Sequence, residues 1–211
     1  MTEILIRIAV IGLGLAGWFW TQHLLSRRVV AAGLRDRVHD WTSPLHAWLA
    51  AHPRAADVTL IVTSALIDLI GIYLIAAAIF GPTFRPFLSL FVLFALRQMC
   101  QGLCALPMPP GSIWHHPGFP SLLVTYGTDN DYFFSGHTAI AVLGAIELVH
   151  AGPPWLGLLI CLIAALEGAT VLVLRAHYTM DVFAAALAAF FSYNLGAAAA
   201  PAVDAWIASM F

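Results

Sequence analysis

Long apolar runs dominate the sequence and constrain what it can fold into. Six of them are candidate membrane spans: Ile8–Leu25, Val58–Ile79, Phe87–Leu106, His137–Ala151, Trp155–Leu174 and Met180 to about Ala199. A helix needs about 20 apolar residues to cross a bilayer, and the short fourth run gains length if Ser135 and Gly136 extend it. The chain is 61% hydrophobic and 9% charged, whereas an ordinary soluble domain is about 25% charged. We therefore predict a single all-α, polytopic membrane domain over residues 1–211, a six-helix bundle.

Two connections between the predicted spans differ from short turns. Residues 26–56 interleave five Arg with Trp and Leu side chains, a pattern that is typical of an interfacial amphipathic segment. Residues 107–134 are rich in Pro, Gly and aromatic residues, and long loops of this kind often carry function. With six spans, this loop and the turn after the fifth span lie on the same membrane face, so we interpret 107–134 as an active-site loop.

Several classes of partner are excluded by charge and cysteine content. The chain has nine Arg, no Lys and a formal charge of -2, so it lacks the basic excess that binds a nucleic-acid backbone. Three apolar-flanked Cys show neither a disulfide framework nor zinc-ligand spacing, and we expect no metal or cofactor. The first apolar run is expected to be a retained span, because no small-residue cleavage site follows it.

Charged residues inside predicted spans are costly in a bilayer and usually functional. Arg97 lies ten residues before Pro107, about 15 Å along a helix, and can bind an anion below the membrane surface or pair with an acidic residue of another span. Asp68, Glu147 and Glu167 also lie within spans. The sequence leaves two interpretations open for these acids: partners of a site, or polar groups that pack helices together.

The residues around His137 and His177 form the sharpest candidate site. His177 and Asp181 are four apart, so on a helix they share a face and the carboxylate can orient the imidazole. Such orientation raises the nucleophilicity of the other ring nitrogen. His137 follows a candidate N-cap, Ser135, and supplies a second imidazole that can move protons. From spacing alone, a catalytic pair, a metal or proton-relay site, and ordinary helix-end residues all remain open.

Three segments of the sequence resemble the signatures of a known family. DYFFSGHT at residues 131–138 and HYTMDV at 177–182 resemble the third and fourth signatures of the sphingomyelin synthases. Arg97 followed by Leu-Pro at 106–107 resembles the second signature. That family belongs to the type 2 phosphatidic acid phosphatase superfamily and is similar to the plant phosphatidylcholine:diacylglycerol cholinephosphotransferases. The resemblance covers about Phe84–Asn194.

The resemblance implies a six-helix membrane enzyme that moves a phosphorylated head group from a phospholipid to a lipid hydroxyl through a phosphohistidine. Carried over by position, His177 is the nucleophile, Asp181 orients it, and His137 is the general acid and base. The donor is of the phosphocholine or phosphoethanolamine type, and the acceptor resembles ceramide or diacylglycerol. No metal is implied.

Further residues are assigned to substrate binding. Arg97 matches the family arginine for the phosphate, and Ser135 adds a donor at a helix N-terminus, where anions are favoured. Arg175 is the candidate for the remaining phosphate charge. Asp131 and Tyr132 are candidates for head-group contacts or for support of the site.

Departures from the family patterns leave the reaction open. The phosphatase superfamily's Lys-x6-Arg-Pro is not formed, and its Ser-Arg pair is replaced by Thr170 and Val171. Asp129 and Asn130 stand where sphingomyelin synthases tend to have Cys-Gly, so head group and acceptor stay undetermined. The absence of the two phosphatase motifs favours the synthase branch over the phosphatase branch. Two alternatives remain: a phosphatase or phospholipase C-like hydrolase with the same site, and a non-enzymatic transporter.

Two features of the sequence predict opposite membrane orientations for the site. The predicted topology places six Arg on the face of His137 and His177 and two on the other, which the positive-inside rule makes cytoplasmic. The family resemblance implies the exoplasmic or periplasmic face instead, and we follow it, because Arg in an interfacial segment can serve to bind anionic lipid head groups.

Overall fold

A computed structural model describes Trp20 and residues 34–103, 106–124, 126 and 133–209. The described part holds six helices, which we number in chain order: α1 Arg37–Ala51, α2 Pro53–Phe80, α3 Arg85–Leu103, α4 Gly136–Ala151, α5 Pro154–Val173 and α6 Thr179–Ala208. All six lie in one compact unit, Asp36–Phe211. The predicted first span, Ile8–Leu25, lies outside the described residues except for Trp20.

Helix length decides which of the described helices can cross a membrane. Four are long and apolar enough, namely α2, α3, α5 and α6, whereas α4 is a shorter apolar helix. The all-helical, membrane-embedded character predicted from hydropathy is therefore confirmed, and the count of six spans stays a prediction. Helices α2 and α6 extend beyond the apolar runs predicted for them, because a helix does not have to end at the first polar residue. For example, α2 begins with Pro53 in its first turn, a position that favours proline.

The shortest apolar helix, α4, lies at the centre of the bundle. It packs against α2, α3, α5 and α6, and ten of its 16 residues are buried, including Ile140, Leu143 and Ala145. Its Gly144 faces α2 so closely that an added Cβ would clash with the Ile70 side chain. A helix surrounded by other helices buries all its faces, which explains why no amphipathic stripe marks α4 in the sequence.

The acidic residues within spans each have a described partner. Glu147 is buried and accepts bonds from Arg85 Nε and Nη2, the shortest at 2.7 Å. Glu167 accepts a hydrogen bond from the Thr63 hydroxyl. Asp68 accepts from the backbone amides of residues 122 and 123 at 2.8 and 2.9 Å. Glu147 and Glu167 thus join helices, and Asp68 holds the 107–134 loop.

Candidate active site

The N-terminus of α4 carries two of the residues singled out from the sequence, Ser135 and His137. Ser135 is its N-cap, as predicted, and its Oγ accepts bonds from the amide and the hydroxyl of Thr138 at 3.3 and 3.1 Å. Ser135 is fully buried and His137 is 5% exposed. The first turn of α4 thus points its unpaired amides and one imidazole at the end of the bundle, where helix N-termini favour anions.

The turn between α5 and α6 carries the second imidazole. Arg175 has a φ of 53°, a left-handed conformation that few residues other than Gly adopt, and it reverses the chain after α5. His177 follows, and its Nδ1 lies 3.8 Å from Asp181 Oδ2, an ion-pair distance longer than a hydrogen bond. The same Oδ2 accepts a bond from the Tyr178 amide at 2.8 Å. Asp181 therefore caps α6 and faces His177, but His177 precedes the helix, so the pair does not share a helix face as the spacing predicted.

These two helix ends meet. The Ser135 amide donates to the Asp181 carbonyl at 3.3 Å, which fixes the start of α4 against the start of α6. Trp114 lies edge-on to the His137 ring, with ring centroids 5.1 Å apart. Within the described part of the chain, His137 Nε2 is buried and has no hydrogen-bond partner. Such an atom is costly unless a ligand pairs with it.

Arg97 reaches the same point from α3. Its Nε donates to the Phe134 carbonyl at 3.0 Å, one residue before the α4 cap. A Cβ on Gly136 would lie 3.4 to 3.7 Å from the guanidinium nitrogens Nε and Nη2, so Arg97 lies in van der Waals reach of the helix end. The long side chain thus brings a fixed positive charge from within α3 to the first turn of α4. Among the described contacts, Asp68 and Glu167, the alternative partners predicted for Arg97, accept hydrogen bonds from the loop amides and from Thr63.

Arg175 faces the 107–134 loop. Its Nη1 donates to the Pro110 carbonyl at 3.2 Å, and the Ile113 amide donates to the Leu174 carbonyl at 2.8 Å. Both bonds join the loop to the turn that carries His177. Arg175 Nε is buried without a partner among the described residues, which leaves one donor that a substrate anion can use.

Helix α1 also contacts the turn that carries His177. The sequence did not predict this contact. His39 donates its Nε2–H to the His177 carbonyl at 2.9 Å and stacks on Tyr178 with ring centroids 5.7 Å apart. His46 donates its Nδ1–H to the Val173 carbonyl at 2.8 Å. These two histidines are buried and seven apart, so they lie on one face of α1. That spacing is the signal that could have identified them.

Asp36 completes this contact. It caps α1 through the Val38 amide at 2.9 Å and also accepts from the amide and hydroxyl of Thr179 at 2.5 and 2.8 Å, so one carboxylate caps α1 and the start of α6. Burial raises the pKa of Asp36, but the bonds from Thr179 and Val38 outweigh it, so the pKa lies below its usual value of 3.8. Asp36 is therefore a charged cap at neutral pH.

Two predicted residues lie outside the described part, namely Asp131 and Tyr132. The described residues beside the site include two aromatic side chains. Trp114 packs on Tyr126 with ring centroids 5.0 Å apart. The Tyr126 hydroxyl hydrogen-bonds Ser64 Oγ at 2.5 Å. Burial raises the pKa of Tyr126, so its hydroxyl stays protonated and holds the loop against α2.

Taken together, the described side chains can bind and attack a phosphate ester. One imidazole faces a carboxylate, a second presents an unpaired ring nitrogen, and a guanidinium and a helix N-terminus supply positive potential. Nucleophilic catalysis needs these roles at one point. No three His, Cys, Asp or Glu side chains converge as metal ligands within the described residues.

Comparisons with known proteins show the family and the fold. The profile of the family described as AtPDCT1/2 matches residues 36–198, a range that contains every predicted site residue. The crystal structure of Aquifex aeolicus LpxE matches with a TM-score of 0.55 at 20% identity, over 80% of this chain and 98% of that one. At that identity the likeness shows the fold alone. No curated protein sequence matches the chain.

Proposed function

The chain belongs to the AtPDCT1/2 family of phosphatidylcholine:diacylglycerol cholinephosphotransferases, and on that premise we propose that it moves a phosphorylated head group between membrane lipids. The donor is a phospholipid with a phosphocholine or phosphoethanolamine head group. The acceptor is a lipid hydroxyl of the diacylglycerol or ceramide type. The observation that carries the proposal is the meeting of His177, Asp181, His137 and Arg97 at the joined ends of α4 and α6.

In the first step His177 is the nucleophile. Its Nδ1 faces Asp181, so Nε2 is the nitrogen that attacks the head-group phosphorus. The 3.8 Å separation closes to a hydrogen bond in the substrate complex, as often happens at catalytic pairs. A nitrogen–phosphorus bond forms and the phosphorus–oxygen bond to diacylglycerol breaks. Asp181 stabilises the positive charge that develops on the imidazole.

The proton for the leaving oxygen comes from His137. Its Nε2 is the unpaired buried atom at the start of α4, and it protonates the departing diacylglycerol oxygen. In the second step the same nitrogen takes the proton of the acceptor hydroxyl, whose oxygen attacks phosphorus and releases His177. Arg97 and the α4 amides balance the phosphoryl charge in both steps, with Ser135 and Arg175 as further donors to the phosphate oxygens. Asp131 and Tyr132 stay proposed contacts of the head group.

Product analysis tests this proposal. The full chain in detergent is given phosphatidylcholine with a labelled choline and unlabelled diacylglycerol with different acyl chains, so that the product differs in mass from the donor. We expect the label in a new phospholipid, and expect His177→Ala to lower the rate by on the order of 10⁴. Release of free phosphocholine or phosphate without a new phospholipid would instead establish the hydrolase. Full transfer by His177→Ala would refute the nucleophile.

We also propose that the site opens on the exoplasmic face, as the family resemblance implies. The described α1 offers another role for the Arg of this region, because Trp41, Leu45 and Trp48 are exposed on it and such a helix lies in the interface. A single cysteine at Phe119, in a chain without its native cysteines, reports the side. Labelling by an impermeant thiol reagent in intact cells is expected, and labelling only after lysis contradicts this orientation.

A further inference from the structure

An apolar groove of about 670 Å³ opens between α4, α5 and α6. One end is formed by Thr138, Gly168 and Val182, and the other by Val149, Cys161 and Phe190. The middle is lined by small side chains, which leave the space open. Because α4 and α6 begin where α5 ends, the first set of residues marks the site end of the groove.

One end of the groove is lined by residues adjacent in sequence to the candidate active site. A Cβ on Gly168 would lie 3.3 Å from Val182 Cγ1 and 3.9 Å from Thr138 Oγ1, so the three helices converge there. Thr138 follows His137 in sequence, and Val182 follows Asp181. The groove thus begins one residue from two groups of the proposed chemistry.

Its length fits one leaflet of a bilayer. From Thr138 to Val149 the groove follows α4 over eleven residues, about 16 Å at 1.5 Å per residue. Half of a hydrocarbon core of about 30 Å is roughly 15 Å. A chain that starts at the site and follows the groove therefore ends near the bilayer midplane.

We propose that this groove holds one acyl chain of the donor phospholipid, an inference that rests on the proposed function. An acyl chain gains little hydrophobic free energy by moving from bilayer to protein, because both are apolar. The groove therefore acts through its shape. It aligns the lipid so that the phosphorus lies at the joined ends of α4 and α6, and it restricts which acyl chains can be held in that alignment.

Filling the groove tests the fit. Ala186 lines its middle on α6, and Ala198 is exposed on the same helix and does not line the groove. With dioleoyl- and dihexanoyl-phosphatidylcholine as donors, Ala186→Phe is expected to lower kcat/KM for the long-chain lipid about tenfold relative to the short-chain one. Ala198→Phe is expected to leave that ratio unchanged. An unchanged ratio in Ala186→Phe would refute the acyl-chain groove. Failure of wild type to transfer the head group of either donor would refute the proposed function.

A second measurement does not depend on turnover or on the folding of Ala186→Phe. His177→Ala is incubated with phosphatidylcholine that carries a photoactivatable diazirine at the end of one acyl chain, and labelled peptides are identified by mass spectrometry. We expect labels at Val149, Cys161 and Phe190 in excess of Leu158, which is exposed on α5 outside the groove. Equal labelling of Leu158 would show that the chain samples the whole lipid-facing surface and would overturn the proposal.

Discussion

His39 offers the sharpest test of how the His177 turn is positioned. His39→Phe keeps a ring that can stack on Tyr178 and removes the 2.9 Å bond from Nε2 to the His177 carbonyl. Loss of a partner from a buried polar group costs about 1–3 kcal/mol. If that cost falls on the position of the imidazole, kcat drops roughly 5- to 150-fold, since 1.36 kcal/mol is tenfold in rate.

The assay compares head-group transfer and thermal unfolding of the full chain in detergent. His46→Phe is the matched control, because it removes an equivalent bond of α1, to the Val173 carbonyl at 2.8 Å, farther along the chain from His177. Both variants are expected to lose similar stability, but only His39→Phe is expected to lose most of kcat with little change in KM. His39→Gln, which keeps an N–H donor, should recover part of the rate. Equal kcat in the two Phe variants would refute the positioning role.

Three further predictions concern stability. A Cβ on Gly196 would lie 2.9 Å from a backbone nitrogen of α3, so Gly196→Ala should cost about 1–3 kcal/mol, or roughly 2–12 °C in Tm, whereas Gly102→Ala, with nothing within 4 Å, should not lower Tm. Asp36 has a lowered pKa, so its charge stabilises the fold above about pH 4 and is lost as pH falls through the folded-state pKa; the difference in Tm between wild type and Asp36→Asn should vanish in acid, and a constant difference would contradict the charged cap. Arg85→Gln leaves the buried Glu147 carboxylate unpaired, which should cost about 3–5 kcal/mol of stability with kcat unchanged in the folded fraction; a large loss of kcat would show that this ion pair also acts on the site.

Local contacts of the site were accessible from sequence. Ser135 caps α4 because a hydroxyl at that position accepts an amide bond. The pairing of His177 with Asp181 was also predicted, but His177 precedes α6, so the two side chains face each other at the α6 cap and not along a helix face. Arg97 was predicted to reach the site although it lies within α3. Its Nε reaches the Phe134 carbonyl, one residue before the α4 cap.

What sequence could not predict are contacts between segments far apart in the chain. The bonds from Asp36, His39 and His46 to the α5–α6 turn join residues more than 120 positions apart. Composition identified that region only as amphipathic, because hydropathy does not distinguish a buried histidine from an exposed one. Likewise, Arg85 of α3 pairs with Glu147 of α4. Nothing in the sequence around either residue indicates its partner.

Trapping the covalent intermediate tests the central claim most directly. The full chain is mixed with choline-labelled phosphatidylcholine without acceptor, quenched in alkali, digested and analysed by mass spectrometry. We predict the phosphocholine mass on the peptide that contains His177, and its loss when diacylglycerol is added before the quench. Transfer that proceeds at the full rate with no label on His177, or with label on another residue, would contradict the account.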